Sequence, residues 1–194
     1  MQRIHSVNPQ LAQGRTKELL DTVQQAFGMI PNTAKMMANS PAVLESFLAF
    51  STAMGKVQIG GKLHNQVKLT TSETNACSYC TSILCAIAPA AGLTADEILA
   101  GRTADSDDRR EKAALTFAKD VLASRGKVSH QQLAEVREAG FGDGEIVEIV
   151  ASVVLGCFTN FLNNVADTDL DIPRAEPLET CGVGAGSAKA CATH

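Results

Sequence analysis

Apolar residues recur along most of this chain at spacings of three and four, the period of an amphipathic α-helix, and nowhere alternate as a half-buried strand requires. Leu19, Leu20, Val23 and Phe27 make one apolar stripe and predict a helix from Arg15 to Phe27. Pro31 breaks the pattern, and Ser40-Pro41, a cap residue followed by proline at the first helical position, opens a helix through Leu44, Phe47, Leu48 and Phe50. Gly60-Gly61 precedes a helix through Leu63, Val67 and Thr74; Cys77 opens the next, which is expected to end near Ala91-Gly92. Thr94-x-x-Glu97 and Ser129-x-x-Gln132 read as capping boxes, and Asp105 to Asp108 supply cap and first-turn acids for a helix through Leu115, Phe117 and Val121. A last helix runs from Asp143 to Val165. About eight helices on short turns predict an all-α, compact multi-helix bundle. The periodicity fades after Pro173, so the expected organisation is one helical domain over 1–173 and a flexible Gly/Ala-rich tail over 174–194. The last helix carries Val150, Val154, Leu155 and Phe161, more apolar residues than one buried face needs, which predicts a homo-oligomer.

Composition narrows the function. With 45% hydrophobic and 20% charged residues, the 194-residue chain has a core to bury and is not a disordered segment. A net charge of -4 with no basic run excludes an electrostatic nucleic-acid surface. The N-terminus has no apolar export segment, and Glu148 interrupts the longest apolar stretch, Ile146 to Phe158, so a cytoplasmic protein without a membrane partner is expected.

Six cysteines, at positions 77, 80, 85, 157, 181 and 191, carry the candidate chemistry. Cys77-Ser78-Tyr79-Cys80 is a C-x-x-C pair at a helix start. The free N–H groups and positive dipole end there favour thiolate, and a spacing of three puts both sulfurs on one face. A redox pair, two inert buried thiols, or half of a zinc site all fit this pattern. Cys85, the nearest further ligand, falls about 100° off the shared face. No metal and no cofactor are expected. Cys157 reads as a small core residue, Tyr79 as a core residue with a hydroxyl to place, and Cys181, Cys191 and His194 as tail residues.

The stretch from Gly61 to Gly92 resembles the core of the carboxymuconolactone decarboxylase / alkylhydroperoxidase D-like family, most strongly its peroxidase-related members. Gly28-Met29-Ile30-Pro31-Asn32 and Ala38-Asn39-Ser40-Pro41-Ala42-Val43-Leu44 resemble that family's N-terminal helices. Gly140-Phe141 with Glu145 to Val150, Phe158 to Asn163, and Val165-Ala166-Asp167-Thr168 resemble its C-terminal part. The resemblance implies an alkylhydroperoxidase D-like bundle, usually oligomeric. It further implies Cys80 as attacking thiol, Cys77 as resolving thiol, a hydroperoxide substrate, and a dithiol reductant or reducing protein.

Three positions depart from the family pattern. Where the resemblance implies a Glu twelve residues before the first Cys, a His four after the second, and a His in the C-terminal motif, this chain has Asn65, Leu84 and Asn164. None of the three transfers protons, so an impaired relay is expected, with Glu73, one turn before Cys77, as substitute base. His64, one residue from Asn65, is rotated about 100° from the relay position. The expected function is a thiol-dependent peroxidase or disulfide oxidoreductase. The alternatives are a non-peroxidatic oligomeric protein with a small-molecule pocket and, behind it, a lactone decarboxylase.

Overall fold

The structure is a computed structural model and describes residues 2–178. Among these residues it is all helical. The order is α1 (Gly14–Phe27), α2 (Asn32–Met37), α3 (Pro41–Met54), α4 (Gly60–Thr74), α5 (Ser78–Ile87), α6 (Ala95–Thr103), α7 (Arg109–Ser124), α8 (His130–Glu138) and α9 (Asp143–Ala166). Both capping boxes form, at Thr94/Glu97 and Ser129/Gln132, and Asp108 caps α7 through the Glu111 N–H. Ser40 stands at the N-cap of α3 with Pro41 behind it, but its side chain makes no capping bond.

Two boundaries differ from the sequence expectation. The short helix α2 follows Pro31, where the pattern showed only a break: Pro31 caps it, and six residues are too few for a periodic stripe. α5 ends at Ile87, not near Gly92. Pro89 has no N–H to continue the ladder, and the chain leaves through a turn in which Leu93 N–H donates to Ala88 C=O (3.0 Å).

α4 is the centre of the molecule. It packs against α5, α6, α7 and α9, and α9 also reaches α2, α3, α5 and α7. The larger core joins α4, α7, α8 and α9 through Val67, Leu115, Phe117, Val136, Ile149 and Val153. A second core gathers α1, α2, α3 and the end of α9 around Leu19, Leu20, Met37, Leu44 and Ala166. Glycines on α6 and α9 let these helices come close to α4. A Cβ on Gly101 of α6 would lie 3.0 Å from Gln66 Cα, and one on Gly156 of α9 would lie 2.8 Å from Thr71 Cγ2.

At 24 residues and a hydropathy of 1.7, α9 is long and apolar enough to cross a bilayer by length and composition. One of its faces is nonetheless core, holding Ile146, Ile149, Val153 and Leu155 together with the polar Ser152, Asn160 and Asn163. Of the residues singled out in the sequence, Leu155 is buried and Val150 packs against the larger core, while Val154 and Phe161 are exposed beside Val147 and Val165. Beyond α9, Ala175 N–H donates to Ser82 Oγ at 2.9 Å, so the segment just after residue 173 lies along α5. Cys181, Cys191 and His194 fall outside the described residues.

Gly156→Ala tests the closest crossing. Thr71 is buried and held by a hydrogen bond from its Oγ1 to Val67 C=O (2.7 Å), so it has little room to yield. The added methyl should destabilise the fold by about 1–3 kcal/mol in urea unfolding. An unchanged midpoint would show that the α4–α9 contact is loose.

Candidate functional site

The dithiol is placed by the turn between α4 and α5. Ala76 N–H donates to Glu73 C=O (3.0 Å) and Cys77 N–H to Ser72 C=O (2.9 Å), the paired bonds of a Schellman ending. The left-handed position of that motif, usually glycine, is Ala76 (φ 49°), a conformation costing about 1–2 kcal/mol for an L-residue. Cys77 is then the N-cap of α5, its Sγ accepting the Cys80 N–H at 3.3 Å. Both thiols are free and buried, and with Tyr79 they form a small cluster against Ile83 and Leu170.

The two sulfurs face different surroundings. Cys80 opens on a cavity of about 110 Å³ whose walls are mostly apolar, among them Val23, Phe47, Ile83 and Leu155. Cys77 lies instead on a groove of mixed character with Glu73, Ser78, Thr81, Arg102 and Arg174. The Cys77 side chain beside it, opposed by burial and aided by Asn160, Asn163 and Thr159, holds the Cys80 thiol below its ordinary range. Cys77 is pushed well above the ordinary thiol range, first by the Cys80 side chain and then by burial. Of the two sulfurs, Cys80 is the one on which a negative charge is favoured.

Asn163 fixes that charge. Its Nδ2 donates to Cys80 Sγ at 3.2 Å and to Thr159 C=O at 3.0 Å; both partners are acceptors, so the amide orientation follows. Its Oδ1 is then left buried with no donor among the described residues, and Thr33 Oγ1, on the same cavity, is in the same state. Two unsatisfied acceptors on an apolar wall are what a ligand with an O–H or N–H group would complete.

Lys68 of α4, which the sequence reading did not single out, stands at this site, and His64 lies one turn before it on the same helix. Lys68 lines the cavity with Cys80. Burial pulls its ammonium down to about 8, against the attraction of the Cys80 charge. His64, one turn earlier, is buried with Nδ1 2.8 Å from Ser152 Oγ. Ser152 gives its own proton to Glu148 C=O (2.7 Å), so His64 Nδ1–H is the donor. Burial, with a smaller contribution from Lys68, lowers the imidazole to about 4. The sequence signal for both was the spacing of His64, Lys68 and Ser72, four residues apart on one face of α4.

The expected relay positions are dispersed. Leu84 lines the cavity beside Cys80. Asn65 Nδ2 donates to Gly61 C=O of its own helix (2.9 Å), and Asn164 Nδ2 donates to Asn75 C=O (2.9 Å); neither lines the cavity. Asn163, one residue earlier than Asn164, is the residue that touches Cys80. Glu73 accepts a 2.5 Å bond from Arg102 Nε, and its partner's side chain is only 3% exposed. Tyr79 Oη donates to Asp171 Oδ1 (2.8 Å) and accepts the Thr33 N–H (3.3 Å), so its hydroxyl is fully used in tying α2 to the segment after α9. Cys85 packs among Leu69, Leu84 and Ile98, and burial raises its thiol. Cys157 is half-buried against the larger core. Among the described residues, no three His, Cys, Asp or Glu side chains are grouped to hold a metal ion.

The buried imidazole gives the fold a pH dependence with a definite sign. His64 takes up its proton near 4 when folded and near 6.5 when unfolded. As pH falls through 6.5 the unfolded chain binds the proton first, so stability is lost between these values, on the order of 3 kcal/mol in all. His64→Gln should remove that part of the loss, seen in urea unfolding at about pH 7 and pH 4.5. Parallel losses in parent and variant would show that the imidazole is charged when folded.

No protein-family model matches the sequence, and no curated protein matches it. Solved structures do match. An uncharacterised peroxidase-related protein from Ralstonia eutropha, described as an alkylhydroperoxidase AhpD core, superposes with a TM-score of 0.77 at 21% identity, covering 88% of this chain and 92% of its own. A second uncharacterised peroxidase-related protein, from Silicibacter, gives 0.71 at 20%, covering 86% and 91%. The debrominase Bmp8 gives 0.74 at 20%, covering 87% and 91%, and has also been solved as a cysteine-to-alanine variant in complex with 2,3,4-tribromopyrrole. Matched over nearly their whole length, these helical frames coincide with this one, and the chain has the alkylhydroperoxidase D-like fold that its motifs resemble.

Proposed function

We propose that the protein is a thiol-dependent peroxidase that reduces hydroperoxides through Cys80 and Cys77. The observation that carries this reading is the unequal placing of the two thiols: Cys80 Sγ accepts from Asn163 Nδ2 and faces an apolar cavity, and Cys77 Sγ lies against the Cys80 backbone, beside the sulfur it would close on. Cys80 thiolate attacks the terminal oxygen of the hydroperoxide, the O–O bond breaks, an alcohol leaves, and Cys80 becomes a sulfenic acid. Cys77 then attacks Cys80 Sγ, water leaves, and a disulfide forms, which an external dithiol reduces by exchange. The unsatisfied Asn163 Oδ1 would accept the hydroperoxide O–H. The apolar walls favour an organic hydroperoxide over hydrogen peroxide. A cytoplasmic home suits a pair that must be returned to free thiols.

The test is the second-order rate of cumene hydroperoxide reduction with dithiothreitol as reductant. Cys80→Ser should abolish it, and Cys77→Ser should permit one oxidation per chain without turnover. Cys80→Ser at the parent rate would end this reading. A second reading has support in one observation: a debrominase shares the fold, and the apolar cavity suits a halogenated aromatic ring. Bromide release from a bromopyrrole with no hydroperoxide reduction would favour it.

We also propose that the functional form is a homo-oligomer. Val147, Val154 and Phe161 are exposed at intervals of seven along α9, the spacing of a seam that a second helix covers. Phe161→Glu should convert the parent oligomer to monomer in sedimentation at micromolar concentration. A monomeric parent would refute the assignment.

A further inference from the structure

Resting on the peroxidase reading above, the cavity raises the question of what gives the leaving oxygen its proton. The positions at which the sequence resemblance implies carboxylate and imidazole hold Asn65, Leu84 and Asn164, and none of these can do so. Glu73 is engaged by Arg102. The ionisable groups that line the cavity are Lys68, Tyr79 and Cys80, and the Tyr79 hydroxyl is already committed to Asp171.

Lys68 differs from the other lysines that the fold fixes: Lys35 is also partly buried, but its ammonium donates to Asn32 Oδ1 at 3.1 Å. Lys17, Lys62 and Lys112 are exposed and paired with carboxylates at 2.6–2.8 Å. Lys68 is partly buried, lines an apolar cavity, and pairs with no carboxylate among the described residues. Keeping a cation there is costly unless an anion faces it. The anion on that wall is the Cys80 thiolate.

We propose that Lys68 is the proton donor of this site: its ammonium pairs with the Cys80 thiolate across the cavity and protonates the oxygen that leaves when Cys80 attacks. The proton balance closes over the cycle. The reduced site holds one proton between Cys80 and Lys68 and a second on Cys77. Attack forms the S–O bond and breaks the O–O bond. The departing alkoxide takes the Lys68 proton and leaves as alcohol, with Lys68 neutral and Cys80 a sulfenic acid. Disulfide closure releases the Cys77 proton within water. The external dithiol then returns two protons, one to Cys77 and one to Lys68, as it is oxidised.

The neighbouring groups allow this. His64 on α4 is held neutral by burial, so it repels the ammonium little. The Cys77 thiol at the N-cap of α5 is pushed well above its ordinary range, and α9 presents the uncharged Leu155, Gly156, Thr159 and Asn163 to the cavity. No charged residue of α1, α2 or α3 lines it. With Cys80 drawn below the ordinary thiol range by its neighbours and Lys68 drawn down to about 8 by burial, thiolate and ammonium face each other near neutral pH. The pair therefore titrates as a bell-shaped profile.

The experiment uses the full chain with Lys68→Met, which keeps the length of the stem, and Lys68→Arg, which keeps the charge but does not release a proton near neutral pH. Three readouts are compared: the Cys80 thiolate midpoint by ultraviolet absorbance in the Cys77→Ser background, the rate of alkylation by iodoacetamide, and the pH profile of cumene hydroperoxide reduction. Circular dichroism verifies the fold of each variant.

Lys68→Met should raise the midpoint by about one pH unit or more. It should also slow peroxide reduction by ~10²–10⁴-fold and remove the alkaline limb of the profile. Lys68→Arg should restore midpoint and alkylation while peroxide reduction stays at least tenfold below the parent. A midpoint unmoved in Lys68→Met, or Lys68→Arg reducing peroxide at the parent rate, would overturn the proposal. A parent that alkylates normally but reduces no hydroperoxide defeats the peroxidase reading and the donor role together, while the midpoint still decides the ion pair.

Discussion

The burial of α4 on nearly every side is the constraint on which the rest of the structure depends. Four helices pack around it, two of them brought close by glycines, Gly101 against the Gln66 backbone and Gly156 against the Thr71 side chain. Yet α4 is not an apolar helix. His64, Gln66, Thr70, Thr71 and Ser72 are all buried on it, so each of its polar atoms needs a partner from the helices that enclose it. Thr70 Oγ1 donates to Gly101 C=O (2.6 Å), and Gln66 Nε2 donates to Glu97 C=O (3.0 Å) and to Glu111. Ser72 Oγ donates to Lys68 C=O (2.8 Å) and accepts from Asn160 Nδ2 (3.1 Å). The glycine crossings and the polar bonds thus enforce each other: the helices must lie close for the bonds to form, and the bonds fix the rotation of each helix.

The chemistry of the dithiol is a by-product of that locking. α9 is rotated so that Asn160 and Asn163 face inward, and Asn163 delivers its N–H to Cys80 while Asn160 is held by Asn75 (3.0 Å) and Ser72. The end of α4 folds into a tight turn around Ala76, which makes Cys77 a cap rather than a helical residue. The two sulfurs therefore receive different sets of donors from different helices, and a symmetric sequence motif becomes an asymmetric pair. Helix position alone would favour the thiolate nearer the N-terminus; the Cys77 side chain, with Asn160, Asn163 and Thr159 of α9, reverses that preference.

The segment after α9 closes the site from the other side. Asp171 accepts from Tyr79 and, through its second oxygen, from Asn32 N–H (2.7 Å), joining α2, α5 and the C-terminal segment in one contact. Leu170 packs on the dithiol cluster. Cys80 is thereby reached from the apolar cavity and Cys77 borders the groove that holds Glu73, Arg102 and Arg174, so that the two thiols meet different surroundings.

Much of the fold was legible in the sequence because it is written in local terms. The stripes, the capping boxes at Thr94 and Ser129, and the helix start at Cys77 all follow from periods and caps acting within a few residues. α2 and the end of α5 were less legible, since one is too short for a stripe and the other is ended by Pro89 ahead of the glycine. The dithiol itself was plain from its spacing. What only the tertiary structure decided is which side chains converge on it. The resemblance pointed to positions 65, 84 and 164, and of these Leu84 alone lines the cavity, while Lys68 and Asn163 occupy it. Those two come from helices about ten residues before and more than eighty after the dithiol in the chain. Their meeting depends on the rotation of α4 and α9 about their axes. One residue along a helix is about 100° of rotation, and it is long-range packing at Gly156 and Thr71, not any local pattern, that selects which of two adjacent residues faces a sulfur.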